Sequence, residues 1–294
     1  MSTAVSTAVS TAVSATTVTR PMRNAAHATA LAPAVVVKIG GRVLGDPRLP
    51  AALAKRLAAS SGRLVIVHGA ADEVSALQRT FGVKPAFVNG LRVTSADDIN
   101  TIRMACSGLA NKRLIAALIG AGIRAVGLSG EDASILIAEP AGDGALGAVG
   151  NVVSVHTPLL ELLLANGYVP AISPLARATS SANVSGQVGP TPAALNINAD
   201  DAAAAIATAL GADELLLVAD VAHVRAYGDS VTELSQSAAE AAIAAGEITD
   251  GMLVKVRAAL GAVARGVPTA RIGDVRMIAG ESTGTAIVAD GGLS

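Results

Sequence analysis

From residue 34 onward, short apolar runs alternate along the chain with longer segments in which apolar residues recur every three or four positions. The short runs are rich in Val, Ile and Leu and end at glycine or polar residues, which is typical of buried strands. The pattern predicts strands at residues 35–39, 64–67, 126–128, 135–139, 168–172, 215–218, 269–272 and 286–289.

The longer segments have the periodicity of helices that bury one face. They predict helices at residues 50–59, 72–81, 95–118, 157–165, 200–210, 237–245 and 252–265. The third of these starts with Ser95 followed by Asp98, which resembles a capping box. Polar or glycine-rich segments predict loops at residues 83–94, 142–150 and 177–193.

Strands that alternate with helices predict parallel βαβ units with right-handed crossovers. We therefore predict an α/β fold, a three-layer sandwich with a mainly parallel central sheet in two lobes. The loop at 177–193 is the predicted junction, so that residues 34–176 form one lobe and residues 177–294 the other. Residues 1–33 repeat Ser-Thr-Ala-Val and contain no acidic residue. They are predicted to be a disordered leader, with an organellar transit peptide or a true start at Met22 as alternatives.

Composition narrows the range of partners. Apolar residues make up 51% of the chain but aromatic residues only 1%, and the net charge is −1. Single-stranded nucleic acids bind to aromatic platforms and basic surfaces, which this composition disfavours. Cys106 is the only cysteine, so we expect no internal disulfide and a buried, inert thiol. No apolar stretch approaches the roughly 18 residues of a membrane span, so we expect a cytoplasmic protein that acts on small molecules.

Glycine-containing turns follow three of the predicted strands, at residues 38–41, 68–71 and 128–130. Glycine lets backbone N–H groups approach an anion, and the start of the following helix adds a favourable dipole. Lys38 precedes the first turn and could reach a bound phosphate. Such turns also occur where a strand and a helix pack tightly, so the turns alone leave both interpretations open. A P-loop and a Gly-x-Gly-x-x-Gly turn after the first strand are both absent from the sequence, which disfavours P-loop and NAD-binding enzymes.

Several segments taken in order are more specific than any single turn. They are VVVKIGG at 35–41, VHG at 67–69, NGLRVT at 89–94, ANK at 110–112, LNINAD at 195–200 and ITDGMLVK at 248–255. With these segments in this order, the chain resembles the N-acetyl-L-glutamate kinases of the amino-acid kinase superfamily. The resemblance extends from residue 35 to residue 289.

The resemblance implies a kinase with two substrates. The first lobe would bind an acyl amino acid and form a homodimer, and the second lobe would bind ATP. Mg²⁺ would arrive with the nucleotide, held mainly by phosphate oxygens. The implied reaction is phosphorylation of the side-chain carboxylate of N-acetyl-L-glutamate to an acyl phosphate, in arginine biosynthesis.

The same resemblance assigns roles to individual residues. Lys38 and Lys255 would flank the transferred phosphoryl group, and Asp200 would organise the two lysines, which suits a reaction that depends on positioning and charge stabilisation. The implied substrate-binding residues are Gly69, Ala70, Arg92, Asn196 and Asn198. The implied ATP-binding residues are Gly40, Gly41, Asp220, Asp250, Gly251 and Met252. Taken singly, each has an ordinary structural alternative, such as a solvated lysine or a helix cap.

The sequence departs from the family pattern in places. Ala70 and Ala71 stand where the family usually has glycine, so that a Cβ could crowd the phosphate or exclude a positive φ. His223 stands where a glycine is expected near the adenine. The leader and residues 279–285 differ from the arginine-inhibited members, which favours a simple dimer over an arginine-regulated hexamer.

Two other functions stay open. One is a kinase for an acylated amino acid other than N-acetylglutamate in lysine or arginine biosynthesis. Residues 106–114 and 127–130 suggest a carrier-protein-linked substrate, and an N-succinyl substrate is equally compatible with the sequence. Against a carrier-linked substrate, Arg92 argues for N-acetylglutamate, because a planar guanidinium suits a free α-carboxylate. The other is a catalytically silent binding homologue, suggested by Ala70 and His223, and the presence of both lysines argues against it.

Overall fold

The computed structural model of the protein describes residues 34–60, 62–88, 90–141, 145–179 and 194–291. Its strands are β1 (Val35–Ile39), β2 (Leu64–His68), β3 (Phe87–Val88), β4 (Leu91–Arg92), β5 (Ala125–Ser129), β6 (Leu136–Pro140), β7 (Val149–Val155), β8 (Val169–Ser173), β9 (Leu175–Ala178), β10 (Ala194–Ile197), β11 (Glu214–Val218), β12 (Val224–Ala226), β13 (Asp229–Val231), β14 (Glu233–Ser235), β15 (Thr269–Gly273) and β16 (Thr285–Val288). Its α-helices are α1 (Leu49–Ala59), α2 (Ala71–Thr80), α3 (Asp98–Ile102), α4 (Asn111–Gly120), α5 (Pro158–Ala165), α6 (Ala199–Leu210), α7 (Gln236–Ala244), α8 (Asp250–Ala264) and α9 (Val275–Ile278). Each predicted strand is present, and so is each predicted helix except the one at 95–118, with ends that differ by a few residues at most.

An eight-stranded sheet forms the middle layer, in the order β14–β16–β15–β11–β1–β2–β8–β5. Neighbouring strands are parallel except β15 and β16, which are antiparallel. The central strands are nearly continuous runs of Val, Ile and Leu because both of their faces are covered. On β1, Val35 and Val37 pack into one apolar cluster and Val36 into the other.

Helices cover both faces of this sheet. α1, α4 and α9 pack into the cluster that contains Val37, and α5, α6 and α8 pack into the cluster that contains Val36. The buried residues Ala202, Ala203 and Ala207 of α6 have small side chains, so this helix lies close to the sheet. The predicted α/β sandwich with a mainly parallel central sheet is therefore confirmed.

A second, smaller sheet of β6, β7, β9 and β10 closes on itself. β10 runs parallel to β7 and antiparallel to β9. Gly150 allows the strands to approach, since a Cβ at this position would lie 2.8 Å from Leu195 Cδ1. β10 leads directly into α6, so this small sheet places Asn196 and Asn198 next to the start of that helix.

Three segments predicted as loops contain strands. Segment 83–94 holds the β3–β4 hairpin, segment 142–150 runs into β7, and segment 177–193 starts within β9. The hairpin strands have two residues each, which is too short for an alternating pattern to be visible. Residues 142–144 and 180–193, Asn89 and the predicted leader at 1–33 lie outside the described residues.

The helix predicted at 95–118 begins at Asp98, behind a reciprocal cap. Ser95 Oγ accepts from Asp98 N at 3.2 Å, and Asp98 Oδ2 accepts from Ser95 N at 2.9 Å. The prediction of one regular helix is wrong, because residues 103–110 form a π-helical segment between α3 and α4. Short elements were also missed, namely β10, β12, β13, β14 and α9, none of which exceeds four residues.

The division into two lobes at residue 176 stays a prediction. Strands from both sides of this position form the central sheet, where β1 pairs with both β2 and β11. In the part of the chain that the structure describes, every helix is too short or too polar to span a membrane.

Candidate active site

A cavity of about 850 Å³ opens at the carboxyl ends of β1, β2 and β11, where the first residues of α2, α6 and α8 also lie. Open α/β sheets bind their ligands at this edge. The residues that the sequence assigned to a site all line this cavity: Lys38, Gly40, Gly41, Gly69, Ala70, Arg92, Asn196, Asn198, Asp200, Asp220, Asp250, Gly251, Met252 and Lys255. The fold thus brings together residues from both halves of the chain.

Lys38, Asp200 and Lys255 form a buried ionic group within the cavity. Lys38 Nζ lies 2.9 Å from Asp200 Oδ1, and Lys255 Nζ lies 3.0 Å from Asp200 Oδ2. The three side chains are 6%, 5% and 15% exposed in the order Lys38, Asp200, Lys255. They come from β1, α6 and α8, and the packing of α6 between β1 and α8 brings them into contact.

The group carries a net positive charge, because two lysines share one carboxylate. Burial lowers the pKa of Lys38 to about 8, while Asp200 opposes this shift and Lys255 adds to it. Burial also acts to raise the pKa of Asp200, but the two lysines outweigh it and hold that pKa below its usual value. A buried excess cation is costly unless an anion compensates it, so this arrangement favours an anionic ligand.

Two glycine-containing turns pack against each other beside this group. A Cβ on Gly41 would lie 3.2 Å from Ala71 N, and a Cβ on Gly40 would lie 3.2 Å from Val218 O. Ala70 has a φ of −156°, which is not a conformation that requires glycine. Ala70 therefore adopts its backbone conformation without strain, and its backbone N–H is retained.

The N-termini of three helices add positive potential to the cavity. The N-cap residues of α2 and α8, Ala70 and Thr249, make no side-chain cap hydrogen bond. Asn198 instead caps α6, because its Oδ1 accepts from Asp200 N at 2.8 Å. Uncapped N–H groups and the helix dipoles both favour negative charge on a ligand.

Arg92 lies in the cavity wall with its guanidinium held on several sides. Its Nη1 donates to Gln78 Oε1 at 2.5 Å, and its Nη2 donates to Ser75 Oγ and to Ala71 O at 2.8 Å each. The cation also lies over Phe87, 4.6 Å from the ring centroid. Burial lowers the pKa of Arg92, yet a guanidinium stays charged in proteins. The contacts fix the orientation of a cation on the β3–β4 hairpin.

Comparison with known proteins identifies the family. The sequence profile of the amino acid kinase family matches residues 33–274. The chain belongs to the amino acid kinase family. An acetylglutamate kinase of Roseiflexus sp. (strain RS-1) is 40% identical over 255 residues, which are 85% of this chain and 92% of that protein. An acetylglutamate kinase of Geobacillus stearothermophilus is 40% identical over 251 residues, which are 85% of this chain and 91% of that protein. The resemblance stated from the sequence segments is thus confirmed.

Solved structures agree on the fold of this amino acid kinase. The protein smu.665 from Streptococcus mutans UA159 superposes with a TM-score of 0.73 at 30% identity, over 87% of this chain and 98% of that chain. Carbamate kinase from Giardia lamblia, bound to AMP-PNP, superposes with a TM-score of 0.61 at 16% identity, over 88% of this chain and 99% of that chain. The second likeness concerns the fold alone.

The sequence did not point to three side chains that bear on the site of this kinase. Arg42 lines the cavity, and its Nη1 lies 3.1 Å from Asp220 Oδ2, with the arginine side chain 77% exposed. Its position directly after the Gly40-Gly41 turn could have indicated from the sequence that it lies at the cavity. Ser75 and Gln78 hold Arg92, but in the sequence they are ordinary polar residues of an amphipathic helix.

Two further residues can be placed against the family pattern. Cys106 lines the cavity and is buried, and burial raises the pKa of its thiol to about 12, so it stays protonated. His223 is not among the residues that line the cavity. Among the described residues, no three His, Cys, Asp or Glu side chains are arranged to hold a metal ion.

Proposed function

We propose that this amino acid kinase transfers the γ-phosphoryl group of ATP to the side-chain carboxylate of N-acetyl-L-glutamate, in arginine biosynthesis. The main support is the Lys38–Asp200–Lys255 group, which lies in the same cavity as Arg92. The similarity to acetylglutamate kinases over most of the chain supports the choice of acceptor. The product is an acyl phosphate, and ADP is released.

The chemistry suits the charges of this site. A carboxylate is ionised at pH 7, so its oxygen attacks the γ-phosphorus without a general base while the bond to the β–γ bridging oxygen breaks. Lys38 and Lys255 stabilise the negative charge on the transferred group and on the leaving oxygen. Asp200 is engaged by both lysines, so its role is to position them rather than to accept a proton.

The two ends of the cavity then take different ligands. The Gly40-Gly41 turn, Asp220 and the start of α8 at residues 250–252 bind the nucleotide. Arg92, Asn196 and Asn198 bind the acyl amino acid, with Gly69 and Ala70 contributing backbone donors. Mg²⁺ enters with ATP, since this ion is usually held by substrate phosphates together with few protein ligands.

The proposal extends to assembly and location. The enzyme acts as a homodimer in the cytoplasm, where ATP and the intermediates of amino-acid biosynthesis are available. The support for the dimer is a pair of exposed apolar side chains, Met104 and Leu109, in the π-helical segment that lies against the outer strand β5.

A coupled assay of ADP release tests the function. The purified enzyme is given Mg-ATP with N-acetyl-L-glutamate, with N-succinyl-L-glutamate or with an N-acylated aminoadipate, and hydroxylamine traps any acyl phosphate as a hydroxamate. We expect turnover and hydroxamate with N-acetyl-L-glutamate, above the background measured without an acceptor. Turnover with another acceptor and none with N-acetyl-L-glutamate would overturn the proposal.

A further inference from the structure

Thr94 lies between two side chains that the proposed function assigns to the acyl amino acid. It follows β4 and is fully buried. Asn196 Nδ2 donates to Thr94 Oγ1 at 3.1 Å, and Thr94 Oγ1 donates to the carbonyl oxygen of Arg92 at 3.2 Å. One hydroxyl thus links the main chain of Arg92 to the side chain of Asn196, which is 102 residues further along the chain.

The hydrogen bonds of this hydroxyl determine how the Asn196 amide is oriented. A threonine hydroxyl has one hydrogen to donate, and here it is donated to the Arg92 carbonyl. The Asn196 atom next to Thr94 Oγ1 must therefore be a donor, which identifies it as the amide nitrogen rather than the oxygen. Asn196 lines the cavity, so Oδ1 is left as the acceptor for a ligand.

The backbone holds Thr94 in place independently of any ligand. Thr94 N donates to Leu146 O at 3.0 Å, and Ala148 N donates to Thr94 O at 2.6 Å. Between these two bonds lies Gly147, where a Cβ would come within 2.2 Å of Thr94 O. The hydroxyl is therefore preorganised, because its backbone is fixed against the segment that enters β7.

We propose that Thr94 is a positioning residue for the acyl amino acid, and this rests on the proposed function. Its hydroxyl holds the Asn196 amide with Oδ1 available to the cavity, and it steadies the backbone that carries Arg92. The side-chain hydrogen bonds of Thr94 join Arg92 and Asn196 rather than Lys38 or Lys255, so it acts on substrate binding and not on the charge stabilisation of phosphoryl transfer.

The test compares Thr94→Val with Thr94→Ser. Valine has a similar shape but no hydroxyl, so Asn196 and the Arg92 carbonyl both lose a partner. Because each lost hydrogen bond weakens an interaction severalfold, we expect the KM for N-acetyl-L-glutamate to rise about tenfold. The KM for ATP and kcat should stay within about twofold of the wild-type values. Serine keeps the hydroxyl, so Thr94→Ser should restore the KM to within about twofold.

Thr285→Val is a matched control. Thr285 is also fully buried, and its Oγ1 accepts from Val224 N at 2.8 Å and donates to Val231 O at 2.5 Å, outside the cavity. This variant loses the same number of hydrogen bonds, so a general loss of stability should appear in both valine variants. Only Thr94→Val should change the KM for the amino acid selectively.

A double-mutant cycle with Asn196→Ala separates the two links. If Thr94 acts through the Asn196 amide, adding Thr94→Val to Asn196→Ala should raise the KM by no more than about threefold. Additive effects would show that the Arg92 backbone, rather than the amide, transmits the role of the hydroxyl. If Thr94→Val does not fold, Thr94→Ala removes the same hydroxyl with a smaller side chain.

The outcomes separate this proposal from the proposed function. The role of Thr94 is overturned if the wild-type enzyme is active and the Thr94→Val variant has the same KM values as Thr285→Val. It is also overturned if Thr94→Val lowers kcat and raises both KM values together. A wild-type enzyme that phosphorylates a different acyl amino acid of the same assay overturns the proposed acceptor. In that case the same variants are compared with that acceptor.

Discussion

At the scale of single residues, Asp200 determines how far apart the two buried lysine charges of the cavity lie. Its two oxygens are each engaged by a different lysine, so the carboxylate fixes the spacing of two cations that would otherwise repel each other. A further cation, Arg42, lies at the cavity wall in an exposed ion pair with Asp220. Exposed pairs contribute little free energy, so Arg42 is free to exchange partners, whereas the buried lysines are not.

Replacing either buried lysine should reduce turnover strongly. We expect Lys38→Ala and Lys255→Ala each to lower kcat by a factor on the order of 10² or more, because each removes a charge that stabilises the transition state. The measurement is steady-state kinetics with N-acetyl-L-glutamate and ATP. Lys55→Ala is the control, since Lys55 is an exposed lysine of α1 in an ion pair with Glu281. Near-wild-type kcat in either cavity variant would contradict the two-lysine mechanism.

The pKa of Lys38 predicts an alkaline limit to activity. Burial lowers this pKa from 10.5 to about 8, so the protonated, active form is lost as the pH rises above that value. We expect kcat/KM for ATP, which reports on the free enzyme, to fall about tenfold per pH unit above the pKa. Asp200→Asn removes the group that raises the pKa of Lys38, so the limit should move to lower pH. A profile that is flat up to about pH 10 would contradict the assignment.

At the scale of elements, a buried polar contact ties α4 to the turn after β2. Asn111 Nδ2 donates to His68 Nε2 and to Ala171 O at 2.9 Å each, and His68 Nδ1 lies 3.2 Å from Gly69 O. Because Nε2 accepts, the ring donates from Nδ1 to the carbonyl of Gly69 in the neutral tautomer. The glycine-containing turn that borders the cavity thus rests on a neutral, fully buried imidazole.

This imidazole should make stability depend on pH. Burial lowers the pKa of His68 from 6.5 to about 4, so the unfolded chain binds a proton between these values and the folded chain does not. Stability is therefore fully present above pH 6.5 and declines as the pH falls toward 4. From pH 7 to pH 5 we expect His68 to account for a loss of about 2 kcal/mol in the free energy of unfolding.

Urea unfolding of the wild type and of His68→Gln at both pH values isolates this effect. Glutamine keeps a polar side chain but does not titrate, so the variant should be less stable at pH 7 and lose less on acidification. The carboxylates titrate in both proteins, and their contribution cancels in the comparison. An equal loss in both proteins would show that His68 is not the titrating group.

At the scale of the whole molecule, the central sheet ends at β5. This strand pairs only with β8 among the described residues. Side chains engage its other edge, because Lys112 Nζ donates to Gly127 O at 3.1 Å and Ser129 N donates to Asp132 Oδ2 at 2.8 Å. The π-helical segment beside it exposes Met104 and Leu109. These exposed apolar side chains at the end of the sheet support the proposed contact between two copies of the chain.

A charge at this surface should weaken the dimer. We expect Leu109→Glu to shift the mass measured by light scattering from that of a dimer toward that of a monomer, because burying a carboxylate in an apolar contact is costly. Leu162→Glu is the control, since Leu162 is 60% exposed on α5 and Leu109 is 44% exposed. If both variants keep the mass of the wild type, or if the wild type is a monomer, the proposed surface is wrong.

The sequence alone accounted for much of the fold and for the members of the candidate site. Strands such as β1 and β11 are buried on both faces, so their apolar runs are visible in the local sequence. Helix α6 is an alanine-rich segment without glycine that begins after an asparagine cap. The segments around Lys38, Arg92 and Lys255 are likewise local. Their order along the chain was enough to indicate the family, because a match of several such segments in one order is far more specific than a match of any one of them.

Other features depend on segments that meet only in the folded chain. The small closed sheet, the sharing of Asp200 by two lysines and the link from Thr94 to Asn196 all join residues that are far apart in sequence. Local periodicity contains no information on such contacts. The lowered pKa of Lys38 has the same origin, since it depends on the desolvation and the charges that neighbouring elements provide. The sequence therefore determined which residues could form the site, and the packing of distant elements decided their charge, orientation and partners.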